Sequence, residues 1–302
     1  MNISIVLSTY NGEKYITDQI ESLKAQSRVV DEVLIFDDCS TDGTVDIVEK
    51  FIEKHKLHNW HVNKNKENLG FRKNFMQGIK KSNGELIFLC DQDDIWMPNK
   101  IELMAKAMED NDNIDVLASS YTSWYTDGTK TVTNVSGGAS VEKIVCPDNI
   151  LPVPPGCTYC VRKNFVDLIF PYWIESCPHD CVLWRSAEII GSAYVIAEPL
   201  ILWRKHSNSS WQVEIEKELA DSELKWRRQE IKELKALIIF AQERGTSDEL
   251  IDKLKKNIEW CVCREKFVET KNIFIGIKLL VYFKMYPSFR RYIKDWAIAF
   301  LR

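Results

Sequence analysis

The sequence predicts an α/β protein with a mixed, mostly parallel β-sheet flanked by helices, and three observations support this fold class. Apolar runs typical of buried strands alternate with helical apolar spacing through the first 120 residues. Most of these runs end in a cluster of polar residues. The length of 302 residues and the apolar fraction of 45% suit one α/β domain with an appendage.

Apolar runs predict five strands, at residues 3–7, 32–36, 60–62, 85–90 and 115–119. Helical spacing of apolar residues predicts three helices among them, in residues 16–23, 45–52 and 72–81. Ligands of such sheets bind at the carboxyl ends of the parallel strands. The polar residues that follow the predicted strands are therefore the first candidates for a functional site.

The second half of the chain divides into three parts. Residues 121–145 are rich in Thr, Ser and Gly and indicate an excursion or hairpin, and 152–156 (PVPPG) form a stiff turn. From about Trp211 the composition changes to charged helical patterns, which predict helices over 214–244 and 248–270. We expect a catalytic domain at 1–210, with a nucleotide half at about 1–120 and an acceptor half at about 121–210. A helical extension at 211–302 completes the chain.

Composition argues against several classes of protein. A net charge of −4 and a pI near 5.9 argue against a nucleic-acid binder. Nine scattered cysteines and a start without a signal sequence predict a cytoplasmic protein with reduced thiols. Cys157 and Cys160 have zinc-ligand spacing, but no second pair matches it. No apolar run approaches the ~20 residues that span a bilayer.

The acidic run Asp91-Gln-Asp-Asp94 follows the fourth predicted strand. Three carboxylates this close repel one another unless a cation lies among them. Oxygen ligands of this type suit Mg²⁺ or Mn²⁺ that also holds a diphosphate. The alternative is a solvated turn in which Asp94 caps a helix.

Two other strand ends carry polar residues that are suited to nucleoside recognition. Asp37 and Asp38 follow the second strand, where carboxylates accept hydrogen bonds from a ribose or base, or else cap the next helix. At the end of the first strand, hydroxyl, amide and carboxylate groups offer partners for a nucleobase edge: Thr9, Tyr10, Asn11 and Glu13. Turn chemistry alone explains Asn11-Gly12 equally well.

Four motifs together resemble the inverting family 2 glycosyltransferases of GT-A fold: Val6-Leu-Ser-Thr-Tyr-Asn11, Asp37-Asp-Cys-Ser-Thr-Asp42, Asn68-Leu-Gly70 and Asp91-Gln-Asp-Asp94. They occur in the family's order, and the resemblance covers about residues 2–210. It implies that Thr9, Glu13 and Asp38 form the nucleoside pocket. It also implies that Asp91 lies towards the ribose or phosphate and that Asp93 is the main metal ligand. Arg72 and Lys73 precede Asn74 in a loosely matching register, so either can face the donor.

Three later segments complete the resemblance. Gly156-Cys157-Thr158 resembles the loop that lines the donor sugar and the acceptor. His179-Asp180 opens a helical pattern where the family has its catalytic carboxylate, so Asp180 is the expected base. Trp203-Arg204-Lys-His206 resembles the segment whose His becomes a metal ligand or contacts the diphosphate.

The resemblance implies transfer of rhamnose, glucose or galactose from a dTDP- or UDP-sugar, with Mn²⁺ or Mg²⁺ as cofactor. The acceptor would be a glycan, a lipid-linked glycan or a glycoprotein in bacterial surface-glycan assembly. Asp91-Gln-Asp-Asp-Ile-Trp96 resembles a subgroup rich in rhamnosyltransferases, which favours dTDP-rhamnose. A non-catalytic nucleotide-sugar scaffold of the same fold is the alternative. A metal-dependent phosphohydrolase is disfavoured because Asp94-Ile95 follow Asp93 where its nucleophile motif needs Thr or Val.

The C-terminal segment is apolar, aromatic and basic. Residues 271–302 hold seven Lys or Arg against a single Asp. Such a stretch suits an anionic membrane interface, at the inner face of the cell membrane. Packing on the catalytic domain or on another subunit of a homo-oligomer explains the pattern as well.

Overall fold

The structure is a computed structural model that describes residues 1–135, 140–206 and 221–300 of the 302. Its described residues form one mixed sheet of ten strands, β1 to β10 in chain order: Ile3–Thr9, Glu32–Asp37, Trp60–Lys64, Leu86–Asp91, Ile95–Trp96, Val116–Tyr125, Lys130–Thr133, Val141–Lys143, Tyr159–Arg162 and Ala193–Lys205.

Parallel pairing joins the strands that carry the candidate nucleotide site. The order across the sheet is β3-β2-β1-β4-β9-β6-β10-β5, with β7 beside β6 and β8 beside β10. The pairs β3–β2, β2–β1, β1–β4 and β6–β10 are parallel, while β9 runs antiparallel to both neighbours. The predicted mixed, mostly parallel sheet is therefore confirmed.

Helices cover the sheet and follow it. The α-helices of the described residues are numbered α1 to α10: Ile16–Lys24, Thr44–His55, Phe71–Lys81, Lys100–Glu109, Lys163–Ile169, His179–Ile190, Asp221–Glu243, Asp248–Thr270, Ile273–Lys278 and Phe289–Phe300. The same part of the chain has 3-10 turns at Gly156–Thr158, Phe170–Tyr172 and Leu279–Met285.

Both faces of the central strands are buried, which explains why they read as continuous apolar runs. In β1, Ile3, Ile5 and Leu7 pack with α1, α2 and α4 on one side of the sheet. Val6 packs on the other side, in a cluster that reaches Leu234 of α7 and other residues of the C-terminal helices. The C-terminal helices therefore share a hydrophobic core with the sheet.

The predicted strands and helices are confirmed where the structure describes them. The segment 121–145 contains a real hairpin, because β6 continues to Tyr125 and pairs antiparallel with β7. The predicted helix over 248–270 is α8, and of the predicted helix over 214–244 the described part is α7. The expected domain boundary between residues 210 and 211 lies outside the described residues and stays a prediction.

A buried ion pair ties the C-terminal helices to α6. The guanidinium of Arg185 in α6 lies 2.7 Å from a carboxylate oxygen of Glu233 in α7, and both side chains are buried. Arg185 also donates hydrogen bonds to the carbonyls of Ile150 and Leu151. Removing one partner of such a pair leaves a buried charge without compensation, so this contact fixes α6 against α7.

All nine cysteines are free thiols in the structure. Among the described residues, no helix combines the length and the apolar character needed to cross a membrane.

Glu188 of α6 makes the free energy of unfolding depend on pH. Its carboxyl group is buried and accepts a hydrogen bond from the indole of Trp184 at 2.8 Å. Burial raises the pKa of Glu188 from 4.5 to about 8. Between these values the folded state binds one more proton than the unfolded chain, so the free energy of unfolding falls as the pH rises.

We expect Glu188→Gln to remove this dependence. Between pH 5 and 8, the variant's free energy of unfolding should rise relative to wild type by up to about 1.4 kcal/mol per pH unit. Urea denaturation at several pH values measures the difference. Glu249→Gln on the exposed surface of α8 is the matched control and should leave the slope unchanged. A Glu188→Gln difference that is constant with pH would contradict the assignment.

Candidate active site

The carboxyl ends of β1, β2 and β4 bring three polar clusters together. Parallel register places Thr9 beside Asp37 and Ser8 beside Asp91. Residues separated by 28 or more positions in sequence thus become neighbours across one edge of the sheet. The sequence-predicted nucleoside residues and the acidic run therefore share one cleft edge.

The Asp37-Asp38 pair organises the loops at this edge. Asp37 accepts hydrogen bonds from the hydroxyls of Thr9 at 2.9 Å and Ser40 at 2.5 Å. Asp38 is buried and accepts the backbone N–H groups of Leu69 and Gly70, each at 2.8 Å. Neither Asp is a simple helix cap. Asp38 instead holds the Asn68-Leu-Gly70 loop in place, and its contact with a nucleoside stays a prediction.

Tyr10 lies on an exposed loop that an amide side chain braces. Gln92, the second residue of the acidic run, accepts the N–H of Tyr10 and donates to its carbonyl, both at 2.9 Å. Gly12 lies against the same amide, since an added Cβ would be 2.2 Å from its oxygen. Gln92 therefore ties the first motif to the fourth.

Asn11 and Glu13 join the β1 loop to the loop after β2. The side-chain oxygen of Asn11, whose φ is 47°, accepts the N–H of Thr41 at 2.8 Å. Glu13 accepts the N–H of Gly43 at 3.0 Å. Both predicted nucleoside residues thus lie at the cleft edge and shape its loops.

The acidic run concentrates negative charge in a partly enclosed place. Burial, followed by the like charges of Asp93 and Asp180, raises the pKa of Asp91 to about 7. Burial, followed by the like charges of Asp93 and Asp91, raises the pKa of Asp94 well above its usual range. These carboxylates therefore share protons or require a cation.

Asp94 is not the helix cap that we considered from the sequence. It is fully buried, and one oxygen accepts the backbone N–H of Arg204 at 3.0 Å. Helix α4 begins six residues later, at Lys100, after Asn99. Asp94 therefore joins the acidic run to the last strand of the sheet.

His206 and Arg204 reach the acidic run from the end of β10. The Nε2 atom of His206 lies 2.8 Å from a carboxylate oxygen of Asp93. Arg204 donates to the carbonyl of Asp93 at 2.9 Å and pairs with Asp18 at 2.9 Å. The ring of His206 packs on Tyr15, with centroids 4.6 Å apart. The structure thus brings together the two residues that we predicted as metal ligands.

The donor set fits a hard divalent cation. Candidate ligand atoms of Asp91, Asp94 and Cys157 lie within 4.8 Å of one another. Burial raises the pKa of the Cys157 thiol well above its usual range. The second oxygen of buried Asp94 has no hydrogen-bond partner among the described residues. Two of these three candidate ligands are carboxylates, whose hard oxygens suit Mg²⁺ or Mn²⁺.

Asp180 lies at the start of α6, facing the acidic run. His179 and Asp180 are its first two residues, and Asp180 is favoured in this turn by the helix dipole. Its charge contributes to the raised pKa of Asp91, so the two carboxylates are close. An added Cβ on Gly156 would lie 2.7 Å from Nε2 of His179 and 3.0 Å from Cβ of Asp180. The predicted base and the predicted donor–acceptor loop are therefore in contact.

His179 is buried and stacked on Phe75, with ring centroids 4.0 Å apart. Burial lowers its pKa, which favours the neutral imidazole. Neither ring nitrogen has a hydrogen-bond partner among the described residues. Thr158 donates its hydroxyl to the carbonyl of Pro155 at 2.6 Å and closes the short turn that holds Cys157.

The remaining predicted residues flank this centre. The guanidinium of Arg72 lies over the rings of Phe71 and Trp226, at 4.5 and 5.2 Å. Lys73 pairs with Glu175 at 2.7 Å. Which of the two faces the donor stays a prediction. The indole of Trp203 packs edge-on against Tyr121 at 5.1 Å.

Sequence reasoning missed three contributors to the site. Lys100 is fully buried, close to Asp94 and Cys157, and burial lowers its pKa to about 8. Tyr15 and Asp18 hold His206 and Arg204 as described above. Only the position of Tyr15 and Asp18 at the start of the first helix, just after the first motif, hinted at a place near the cleft. No signal in the sequence connects them to residues near position 205.

Residues 4–167, more than half of the chain, match Glycosyl transferase family 2. The chain belongs to this family. Its relatives are named glycosyltransferases, so the protein is a transferase. This confirms the resemblance drawn from the four sequence motifs.

Two relatives illustrate the range of the family. The dTDP-rhamnosyl transferase RfbG of Shigella flexneri is 29% identical over 242 residues, which are 74% of this chain and 82% of that protein. The poly(ribitol-phosphate) beta-N-acetylglucosaminyltransferase TarS of Staphylococcus aureus is 38% identical over 120 residues. That match covers 39% of this chain and only 20% of TarS.

Solved structures show the same fold. S. aureus TarS 1-349 in complex with UDP-GlcNAc has a TM-score of 0.65 at 18% identity, covering 99% of this chain and 90% of that one. The mannosyltransferase PcManGT of Pyrobaculum calidifontis, in complex with GDP-Man and Mn²⁺, has a TM-score of 0.54 at 13% identity and covers 99% and 84%. The family 2 glycosyltransferase described here therefore has the GT-A fold.

The contact of Gly156 with α6 predicts a sensitive position. In Gly156→Ala the new methyl group must displace His179 or Asp180, so we expect turnover to fall by about 100-fold. Calorimetry should show nearly unchanged nucleotide binding, because the β1, β2 and β4 loops are untouched. Gly276→Ala, which crowds Trp296 among the C-terminal helices, is the control for overpacking and should keep its turnover per folded molecule. Equal losses in both variants would contradict this role.

Proposed function

We propose that this protein is a metal-dependent inverting glycosyltransferase in which Asp180 is the catalytic base. The observation that carries the proposal is the placement of Asp180 against Gly156 and close to Asp91. A carboxylate is thus positioned opposite a cluster suited to a cation and a diphosphate. A non-catalytic scaffold would not need a carboxylate there.

In the proposed reaction an acceptor hydroxyl attacks the anomeric carbon from the side of Asp180. The new carbon–oxygen bond forms as the bond to the diphosphate breaks, with inversion at that carbon. Asp180 takes the hydroxyl proton, and the nucleoside diphosphate leaves with the bonding electron pair.

Asp93 and His206, with Asp91 beside them, are the residues that we propose to hold Mn²⁺ or Mg²⁺. A divalent cation bound there would neutralise the negative charge that develops on the leaving diphosphate. The aromatic ring of Tyr15 and the guanidinium of Arg204 fix His206 and the acidic run for this role. Tyr15 and Arg204 would thus orient the metal ligands without binding the metal themselves.

For the donor we propose dTDP-rhamnose. The similarity to the Shigella flexneri dTDP-rhamnosyl transferase extends over most of both chains. The acidic run followed by Ile95 and Trp96 supports the same choice. UDP-hexoses are the alternative. The TarS structure, whose TM-score of 0.65 is higher than the 0.54 of the mannosyltransferase, is a complex with UDP-GlcNAc.

For the acceptor we propose a lipid-linked glycan of bacterial surface-polysaccharide assembly. Such an acceptor would place the enzyme in the cytoplasm, peripherally at the inner face of the cell membrane. The basic and aromatic C-terminal segment supports this location. A free glycan or a glycoprotein is the alternative acceptor class.

Two substitutions separate the base from the metal site. We expect Asp180→Asn to bind nucleotide normally and to lose turnover by about 100- to 10,000-fold. Asp93→Ala should instead weaken metal-dependent nucleotide binding itself. Release of dTDP or UDP measures turnover, and calorimetry measures binding. Asp167→Asn, on the surface of α5, is the matched control.

The two results are independent tests. Normal binding of the metal–nucleotide complex by Asp93→Ala would overturn the metal assignment. Turnover retained in Asp180→Asn would overturn the base.

Slow hydrolysis of nucleotide sugars identifies the donor. We expect Mn²⁺-dependent release of dTDP from dTDP-rhamnose at a rate above that of UDP from UDP-glucose, UDP-galactose or UDP-GlcNAc. Chromatography of the released dTDP or UDP compares the four nucleotide sugars directly. Faster hydrolysis of any UDP-sugar would reassign the donor, and hydrolysis that persists in Asp180→Asn would favour a scaffold with adventitious activity.

A further inference from the structure

The C-terminal elements expose an unusual amount of apolar surface. Nine of the 17 large apolar residues that are exposed in the described chain lie between positions 273 and 300. We call these nine the C-terminal apolar face: Ile273, Phe274, Ile277, Leu280, Val281, Phe283, Phe289, Ile293 and Phe300. Phe274 and Val281 are 83% and 80% exposed. Contiguous apolar patches of this kind mark binding surfaces.

The spacing of these residues explains why the face is continuous. In α9 and the turn after it, exposed residues recur three or four positions apart, at 273, 277, 280 and 281. In α10 a second exposed stripe follows positions 289, 293 and 300. The rings of Phe283 and Phe289, with centroids 6.2 Å apart, connect the two stripes.

The face belongs to a firmly packed structure. Its opposite side is buried: Gly276 lies so close to Trp296 that an added Cβ would be 2.5 Å from the indole. The hydroxyl of Tyr292 donates to the carbonyl of Gly276 at 3.1 Å, and so joins α10 to α9. The helix α9 therefore has apolar residues on its exposed side as well as on its buried side, up to the exposed Lys278 at its end.

A buried charge cluster anchors the same elements. Asp295 of α10 is fully buried and accepts hydrogen bonds from Arg264 of α8 and from the hydroxyl of Tyr286, both at 2.7 Å. It also pairs with Arg227 of α7 at 2.9 Å. Asp295, the one acidic residue of positions 271–302, is therefore paired inside the protein. The charges that this segment leaves at the surface are positive.

Exposed cations alternate with the apolar side chains. Lys278, Lys284 and Arg290 are exposed and adjoin Ile277, Phe283 and Phe289 in sequence. The chain as a whole carries a net charge of −4, so the basic segment stands against an acidic remainder. Apolar side chains with interleaved cations match the two layers of an anionic membrane surface, acyl chains below and phosphates above.

We propose that the C-terminal apolar face docks on a bilayer that contains anionic phospholipid. Phe274 and Val281 would insert between the acyl chains, while Lys278, Lys284 and Arg290 contact lipid phosphates. A second copy of this chain fits less well. An isologous interface would set the same cations of both copies against each other. This inference rests on the proposed function in one respect, namely that a lipid-linked acceptor lies at the same membrane surface.

Flotation of the full-length protein with vesicles tests the proposal. We expect co-flotation with vesicles of phosphatidylcholine and phosphatidylglycerol, and little with phosphatidylcholine alone. Phe274→Ser/Val281→Ser and Lys278→Glu/Lys284→Glu should each reduce the bound fraction by about tenfold. Val29→Ser, 88% exposed on the sheet domain, and Lys50→Glu/Lys54→Glu are matched controls that should float like wild type.

Three results would overturn the proposal: no flotation of wild type with anionic vesicles, flotation undiminished in both double variants, or a dimer in solution that Phe274→Ser/Val281→Ser dissociates. Sedimentation velocity measures the last. Nucleotide-sugar hydrolysis without vesicles should be unchanged in all variants. If wild type hydrolyses nucleotide sugars but does not float, only the docking proposal is contradicted. If it floats but does not hydrolyse them, only the proposed function is contradicted.

Discussion

Mutual repulsion of carboxylates at the end of β4 is the constraint around which the site is built. Burial and the charge of Asp93 raise the pKa of both Asp91 and Asp94, and the charge of Asp180 raises that of Asp91 further. Such a cluster is stable only with shared protons, fixed donors or a cation. The backbone N–H and the guanidinium of Arg204, and the imidazole of His206, supply fixed donors from within the chain. The proposed cation site and the proposed mechanism both rest on this arrangement.

The rest of the fold keeps that cluster in register with its partners. Parallel pairing of β2, β1 and β4 sets the nucleoside loops beside the acidic run, and Gln92 locks the two together. On the other side, α6 carries Asp180 and is fixed by Arg185, which binds both the segment before Gly156 and Glu233 of α7. The C-terminal extension thus supports the helix that carries the proposed base.

This arrangement links the catalytic domain to the surface that we propose to meet the membrane. Helix α7 contacts α6 through Glu233, and α7 and α8 hold Asp295 of α10 through Arg227 and Arg264. An anchored face orients the whole molecule on a bilayer, which a loose tail would not do.

The sequence by itself determined the strand–helix order, the acidic run and the candidate base, because apolar periodicity and local motifs are properties of neighbouring residues. It could not decide between a helix cap and a buried hydrogen-bond acceptor for Asp94, since that depends on Arg204, 110 positions away. Nor could it place Lys100 beside Cys157 or Tyr15 on His206. Tertiary packing alone chooses such partners, because burial and distance across the sheet are fixed only when the strands pair.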